Sequence, residues 1–230
     1  MNWNSFGVSD IGCARTNNED IFSIREKERL FVLADGMGGH NAGEIAAALA
    51  VETLCESIQS SCFKTLEEAC TDLRRAVGMA NQEVFQQASS LPSYAGMGST
   101  LSCFLLTGQH LVYAHVGDSR LYRYRHALHL LTEDHTQQLC KPLAPPRTVI
   151  TRAIGTHSNV QPDIGVIPLM PHDIYLLCSD GLSDSIRGQE IASILSSPLP
   201  LSEKGDTLLK TALEKGGRDN ITLLLVEVLP

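Results

Sequence analysis

Three separate apolar runs in this chain stop on an aspartate. RLFVLADG (residues 29–36) ends in Asp35-Gly36, LVYAHVGD (111–118) ends in Asp118, and IYLLCSDG (174–181) ends in Asp180-Gly181. A fourth run, RDNITLLLVEV (218–228), begins just after Asp219. Apolar runs this short read as strands, and carboxylates at strand ends can converge on one rim of a sheet. Strands come in runs and helices come in runs, with no regular βαβ alternation. That order argues against a parallel α/β fold and for antiparallel sheets with helices packed outside them.

The remaining elements follow from periodicity. Further strands are predicted at Trp3–Val8, Ile21–Ile24, Leu30–Ala34, Thr100–Leu106, Leu111–Val116, Leu121–Arg125, Asp173–Cys178 and Ile221–Val228. Tyr122 and Tyr124 alternate with Arg123 and Arg125, the pattern of a strand with two unlike faces. Helices are predicted at about Ala42–Gln59 and Leu66–Ala88. In the second, Leu66, Cys70, Leu73, Val77, Ala80 and Val84 recur at the spacing of one helix face. A later helix begins near Ser202 and is stopped by Gly216-Gly217. The stretch 138–149 carries three prolines without a clear period and reads as a surface loop.

Composition narrows the function. Lys plus Arg is 18 against 26 for Asp plus Glu, a formal net charge of −8. An acidic chain lacks the electrostatic term that drives nucleic-acid binding. No window approaches the roughly 18 consecutive apolar residues of a membrane span, and residues 1–10 lack a secretory pattern. The seven cysteines are odd in number with no C-x-x-C pair, which disfavours both a zinc site and a disulfide framework. Reduced thiols in a cytoplasmic protein are expected. At 230 residues the chain can bury about 70% of its unfolded surface without staples.

A single Asp-Gly after a strand is ordinarily a turn. Four such acids, with Asn17–Asp20 (NNED) besides, point instead to a shared site. Clustered carboxylates repel one another unless a cation neutralises them. All-oxygen donors without Cys/His pairing favour Mg²⁺ or Mn²⁺ over zinc.

Seven segments in order resemble the motifs of one family. They are SDIGCARTNNED (9–20), LADGMGGH (33–40), GMGSTL (96–101), VGDSRLY (116–122), LTEDH (131–135), CSDGLSD (178–184) and RDNIT (218–222). The chain is similar to bacterial metal-dependent protein phosphatases, the type 2C serine/threonine class. The resemblance implies an α+β fold: a four-layer α-β-β-α sandwich, two antiparallel sheets flanked by helix pairs, as a single catalytic domain over residues 1–230. It also implies a two-metal centre of Mg²⁺ or Mn²⁺. Asp35 would bridge both ions and the Gly36 carbonyl would bind one. Asp180 and Asp219 would bind the other. Glu19 and Asp20 would act through metal-bound water, and Asp118 with Asp180 would hold a third ion. Arg15 would grip the substrate phosphate, a task suited to a planar guanidinium. His40 is the candidate general acid, with a structural role in the Gly38-Gly39 turn as the alternative; His135 and His172 read as structural. The expected partners are phosphorylated proteins made by serine/threonine kinases, with no nucleic acid, no membrane and a monomeric state.

Two other readings stay open on the sequence: a phosphatase of small phosphorylated metabolites, and a metal-free phosphoprotein-binding relative. A cysteine phosphatase is disfavoured, because Cys13-Ala14-Arg15 lacks the longer phosphate-cradling loop. Where bacterial relatives place a mobile flap, the connection at 138–149 is short and rich in proline, which predicts a more open site.

Overall fold

The computed structural model describes residues 2–38, 42–58, 65–139 and 147–230. Alternation along its strands sorts the side chains into layers. In the strand Ile221–Val228 (β13), Ile221, Leu223 and Leu225 face one cluster, while Leu224, Val226 and Val228 face another. In Leu30–Met37 (β3), Leu30, Val32 and Ala34 point one way and Phe31 and Leu33 the other. Both strands are covered on both faces, which is why they read as unbroken apolar runs rather than as alternating ones.

Two antiparallel sheets result. One has the order Trp3–Asp10 (β1), β13, Ile174–Cys178 (β12), Arg120–Arg125 (β7) and Ala127–Leu130 (β8). The other has the order Asp163–Pro168 (β11), His110–Val116 (β6), Leu101–Thr107 (β5), β3 and Asp20–Arg25 (β2), with Gly98–Ser99 (β4) paired to the end of β3. Between the sheets, Phe31 stacks on Phe104 at 4.8 Å and Phe104 meets Tyr175 of the opposite sheet at 6.2 Å.

Helices Ala42–Ser57 (α1) and Leu66–Ser90 (α2) cover the outer face of the β3 sheet. Ala42, Ala46, Ala47 and Ala50 are buried along one side of α1, and such small side chains let it lie close to the strands. A capping box starts α2: Thr65 Oγ1 accepts from the Glu68 amide at 3.1 Å, and the Glu68 carboxylate accepts from the Thr65 amide. The other sheet is covered by Gly188–Ser196 (α4) and Leu201–Glu214 (α5), with the short turn of helix Asp180–Ser183 (α3) ahead of them. Gly217, at φ +49°, closes α5 by donating to the Ala212 carbonyl. The architecture is the expected four layers.

Two expectations need correction. The stretch 138–149 is not simply a loop: Thr136–Leu139 (β9) pairs with Arg147–Ile150 (β10) as a hairpin. Pro142, Pro145 and Pro146 all lie between the two strands, so every paired residue keeps its amide donor; residues 140–146 themselves fall outside the described residues. Second, the edge strands β8 and β11 were not foreseen. β11 reads DIGVIP, and Gly165 and Pro168 mask its pattern. Gly165 is needed there because the Tyr113 ring lies over it, where a Cβ would come within 2.3 Å. The predicted first helix ends at Ser57 among the described residues, and Gln59 lies outside them.

Candidate metal centre

Both sheets deliver acids to one cleft. Asp20 opens β2 and stands opposite Asp35 of β3 in the strand register. Asp118 sits where the chain leaves β6 for β7, crossing between the sheets. Asp180 follows β12 and Asp219 precedes β13, strands of the sheet that does not contain β2 and β3. A cleft of about 460 Å³ is lined by Arg15, Glu19, Asp35, Asp118, Asp180 and Asp219, with Gly36 at its wall and Ile150 at the root of the hairpin beside it. Asp20 lies behind this lining. It is buried, and one carboxylate oxygen accepts from Ser179 Oγ at 2.7 Å. His40 lies outside the described residues.

The segment that carries Arg15 and Glu19 is fastened by Asn220. Its side-chain NH₂ donates to the carbonyls of Ile11 and Asn17, each at 2.9 Å, and its Oδ1 accepts from the Glu19 amide at 2.8 Å. Asn220 was not singled out in the sequence, although the signal was present in its position beside Asp219 at the mouth of a strand. Gly36 admits no side chain, because a Cβ would come within 2.1 Å of the Gly43 carbonyl oxygen. Gly43 likewise leaves room for the Glu19 carboxylate, which would stand 2.3 Å from a Cβ there. The tight seat of α1 against β3 therefore shapes the cleft wall.

Charge is poorly compensated here. Burial, then the neighbouring Asp20, Asp180, Asp118 and Asp219, hold the Asp35 carboxyl well above the usual range. Burial and Asp118 push Asp180 up to about 7, and burial pushes Asp20 up to about 6 despite its hydroxyl partners. Burial followed by Asp134 raises Asp118 to about 6. Arg15 meets the cluster directly: its Nη2 donates to Asp219 Oδ2 at 2.6 Å in a half-exposed pair. One oxygen each of Asp20 and Asp180 is buried with no hydrogen-bond partner among the described residues.

These features fit divalent cations. Partnerless buried carboxylate oxygens and mutually repelling acids are stabilised by a hard cation, and every donor is oxygen. Among the described residues no three His, Cys, Asp or Glu side chains stand close enough together to form a ready ligand group. His135 and His172 do not line the cleft: His135 Nδ1 accepts from the Gly117 amide at 3.1 Å, and His172 occupies a turn at φ +68°.

A sandwich of two antiparallel sheets between helix pairs, with carboxylates from both sheets in one cleft, is the frame of a metal-dependent phosphatase. The sequence model of the family Protein phosphatase 2C matches residues 14–225, and the chain belongs to that family. It is similar to the serine/threonine phosphatase stp of Listeria monocytogenes, 38% identical over 235 residues that cover 95% of this chain and 93% of that protein. The serine/threonine phosphatase of S. agalactiae superposes with a TM-score of 0.91 at 33% identity, covering 99% of this chain and all of the other. The catalytic domain of the serine/threonine protein phosphatase PstP, solved in complex with two manganese ions, superposes with a TM-score of 0.87 at 32% identity over 99% of each chain.

Proposed function

We propose that this protein hydrolyses phosphoserine and phosphothreonine in proteins, using divalent cations held in the carboxylate cleft. The observation that carries the reading is the poorly compensated acid cluster: Asp35 buried among four other aspartates, with a buried Asp180 oxygen that has no hydrogen-bond partner among the described residues. Asp35 and the Gly36 carbonyl, with Asp180 and Asp219 opposite, are the residues that would hold two core ions. PstP, the relative with two manganese ions, supports Mn²⁺ or Mg²⁺ in that place. When bound, such a pair supplies a water of lowered pKa and offsets charge on the phosphoryl oxygens.

The chain's own groups do the rest. Arg15 presents a guanidinium at the mouth of the cleft, where its fork would bind two phosphate oxygens once Asp219 is engaged elsewhere. Glu19 faces the cleft and would orient water there. Asp20, held by Ser179, would act from behind. Asp118, which lines the cleft with Asp180, would hold a third ion. His40 keeps the assignment of candidate general acid. Cys13 does not line the cleft, and hydrolysis by a metal-activated water would need no covalent enzyme intermediate.

The protein is assigned as one catalytic domain over residues 1–230, monomeric and cytoplasmic, acting on products of serine/threonine kinases. The relatives named as serine/threonine phosphatases favour protein substrates over small phosphorylated metabolites. Phosphate release from a phosphothreonine peptide with Mn²⁺, with Mg²⁺ and with chelator tests the assignment. Turnover that survives chelation, or activity on sugar phosphates alone, would overturn it.

A further inference from the structure

Thr100 joins the two edges of the cleft in a way that the chemistry above does not use. It is 1% exposed and lies between β4 and β5. Its amide donates to the Asp35 carbonyl at 2.8 Å, and its Oγ1 accepts from the Asp35 amide at 2.8 Å. One residue thus grips the backbone of Asp35 on both sides. The same Oγ1 stands 2.9 Å from Ser119 Oγ, a buried contact. The methyl side of Thr100 rests against Gly117: a Cβ on Gly117 would come within 2.6 Å of both Cβ and Cγ2 of Thr100. Gly117 has φ +114°, so the turn it makes is open to glycine and strained for other residues.

Gly117 and Ser119 are the two neighbours of Asp118. Thr100 therefore seats the Asp118 turn on one side and fixes Asp35 on the other, although the two acids come from separate segments. We propose that Thr100 is a positioning residue that sets the spacing of the Asp118 turn against Asp35, and through it the affinity of the cleft for divalent cations. The proposal rests on the metal reading given above. The hydroxyl is the half that carries the coupling. The hydroxyl links Asp35 to Ser119, and the methyl fills the hollow at Gly117.

The test separates these halves. Thr100→Val keeps the methyl and removes the hydroxyl, leaving the Asp35 amide and Ser119 without their shared partner. Thr100→Ser keeps the hydroxyl. Mn²⁺ is titrated calorimetrically into metal-free protein, beside melting in chelator and kinetics at saturating Mn²⁺. Groups that orient metal ligands from behind typically control affinity by about 10–100-fold. Thr100→Val is expected to weaken Mn²⁺ binding at least about tenfold and to lower kcat, with KM for a phosphopeptide changed by no more than about twofold. Thr100→Ser is expected to recover most of the affinity. A Thr100→Val protein that melts lower but binds Mn²⁺ like the parent would overturn the proposal, as would a Thr100→Ser protein equally impaired. If Thr100→Val does not fold, Ser119→Ala removes only the far hydroxyl, and unchanged Mn²⁺ affinity in that variant overturns the coupling. Asp35→Asn runs alongside: undiminished Mn²⁺ affinity there would sink the metal reading itself, whereas its loss beside an unaffected Thr100→Val sinks only the role of Thr100.

Discussion

Asp180→Asn should make the metal-free protein more stable while removing its activity. Burial and Asp118 raise the Asp180 carboxyl from 3.8 to about 7 in the folded protein. The folded state therefore holds a proton that the unfolded chain has already lost, and stability falls as pH rises between those values. For those two limits the ionised group costs about 4 kcal/mol at pH 7.5 and about 2 kcal/mol at pH 5. Asparagine removes the charge and so removes that cost. In a chain of this size about 2–4 °C of melting temperature accompanies each kcal/mol. Melting in chelator is thus expected to rise by up to about 8–16 °C at pH 7.5 and by roughly half as much at pH 5. In saturating Mn²⁺ the order should reverse, because the parent gains binding energy that the variant has largely lost. Differential scanning calorimetry at both pH values, with and without metal, measures all four quantities. An Asp180→Asn protein that melts at or below the parent in chelator at pH 7.5 would refute the reasoning, and so would a gain that does not change with pH.

Other outcomes follow from the same cleft. Asp35→Asn should fold and lose at least about a thousandfold in turnover, read as phosphate release from a phosphothreonine peptide. Arg15→Ala should keep its Mn²⁺ affinity while kcat/KM falls by roughly 1.5–3 kcal/mol through a raised KM, as steady-state kinetics on the same peptide will show. Asp118→Ala should remove one weakly bound ion in a calorimetric titration. It should also slow turnover of a phosphoprotein more than of an activated aryl phosphate, since an aryl oxide leaves without a donated proton.

Asp35, Asp118, Asp180 and Asp219 were legible because each ends or abuts an apolar run, where a carboxylate is conspicuous, whereas Glu19 and Asp20 came through the resemblance of the 9–20 segment. The helix α2 was legible because its buried face keeps one period from Leu66 to Val84. α1 was harder, since alanines occupy both its buried and its half-buried positions. β11 hid behind Gly165 and Pro168, whose reasons are a tyrosine ring overhead and a place at the sheet edge. The hairpin β9–β10 hid because its prolines were read as belonging to the whole stretch rather than to its connection. Thr100, Ser119 and Asn220 left no mark as positioning groups. A hydroxyl or amide beside a strand acquires such a role only from what the tertiary fold brings to it, here Asp35 and the 11–19 segment.

β13 lies inside its sheet, between β1 and β12, yet it is the last described strand to be synthesised. Trp3 waits for Val228 and Asp10 waits for Ile221. While the ribosome is still at work, β1 has no partner, one edge of β12 stands open, and Asp219 does not yet exist to face Asp35. β1 therefore stays unpaired through almost the whole of synthesis, and the open edge of β12 joins it once residue 178 is made, the kind of surface on which chaperones and misassembly compete. The growing chain also acquires its chemistry in a single late step, so a ribosome stalled anywhere before Asp219 and β13 releases a protein that has bulk and helices but no phosphatase in it.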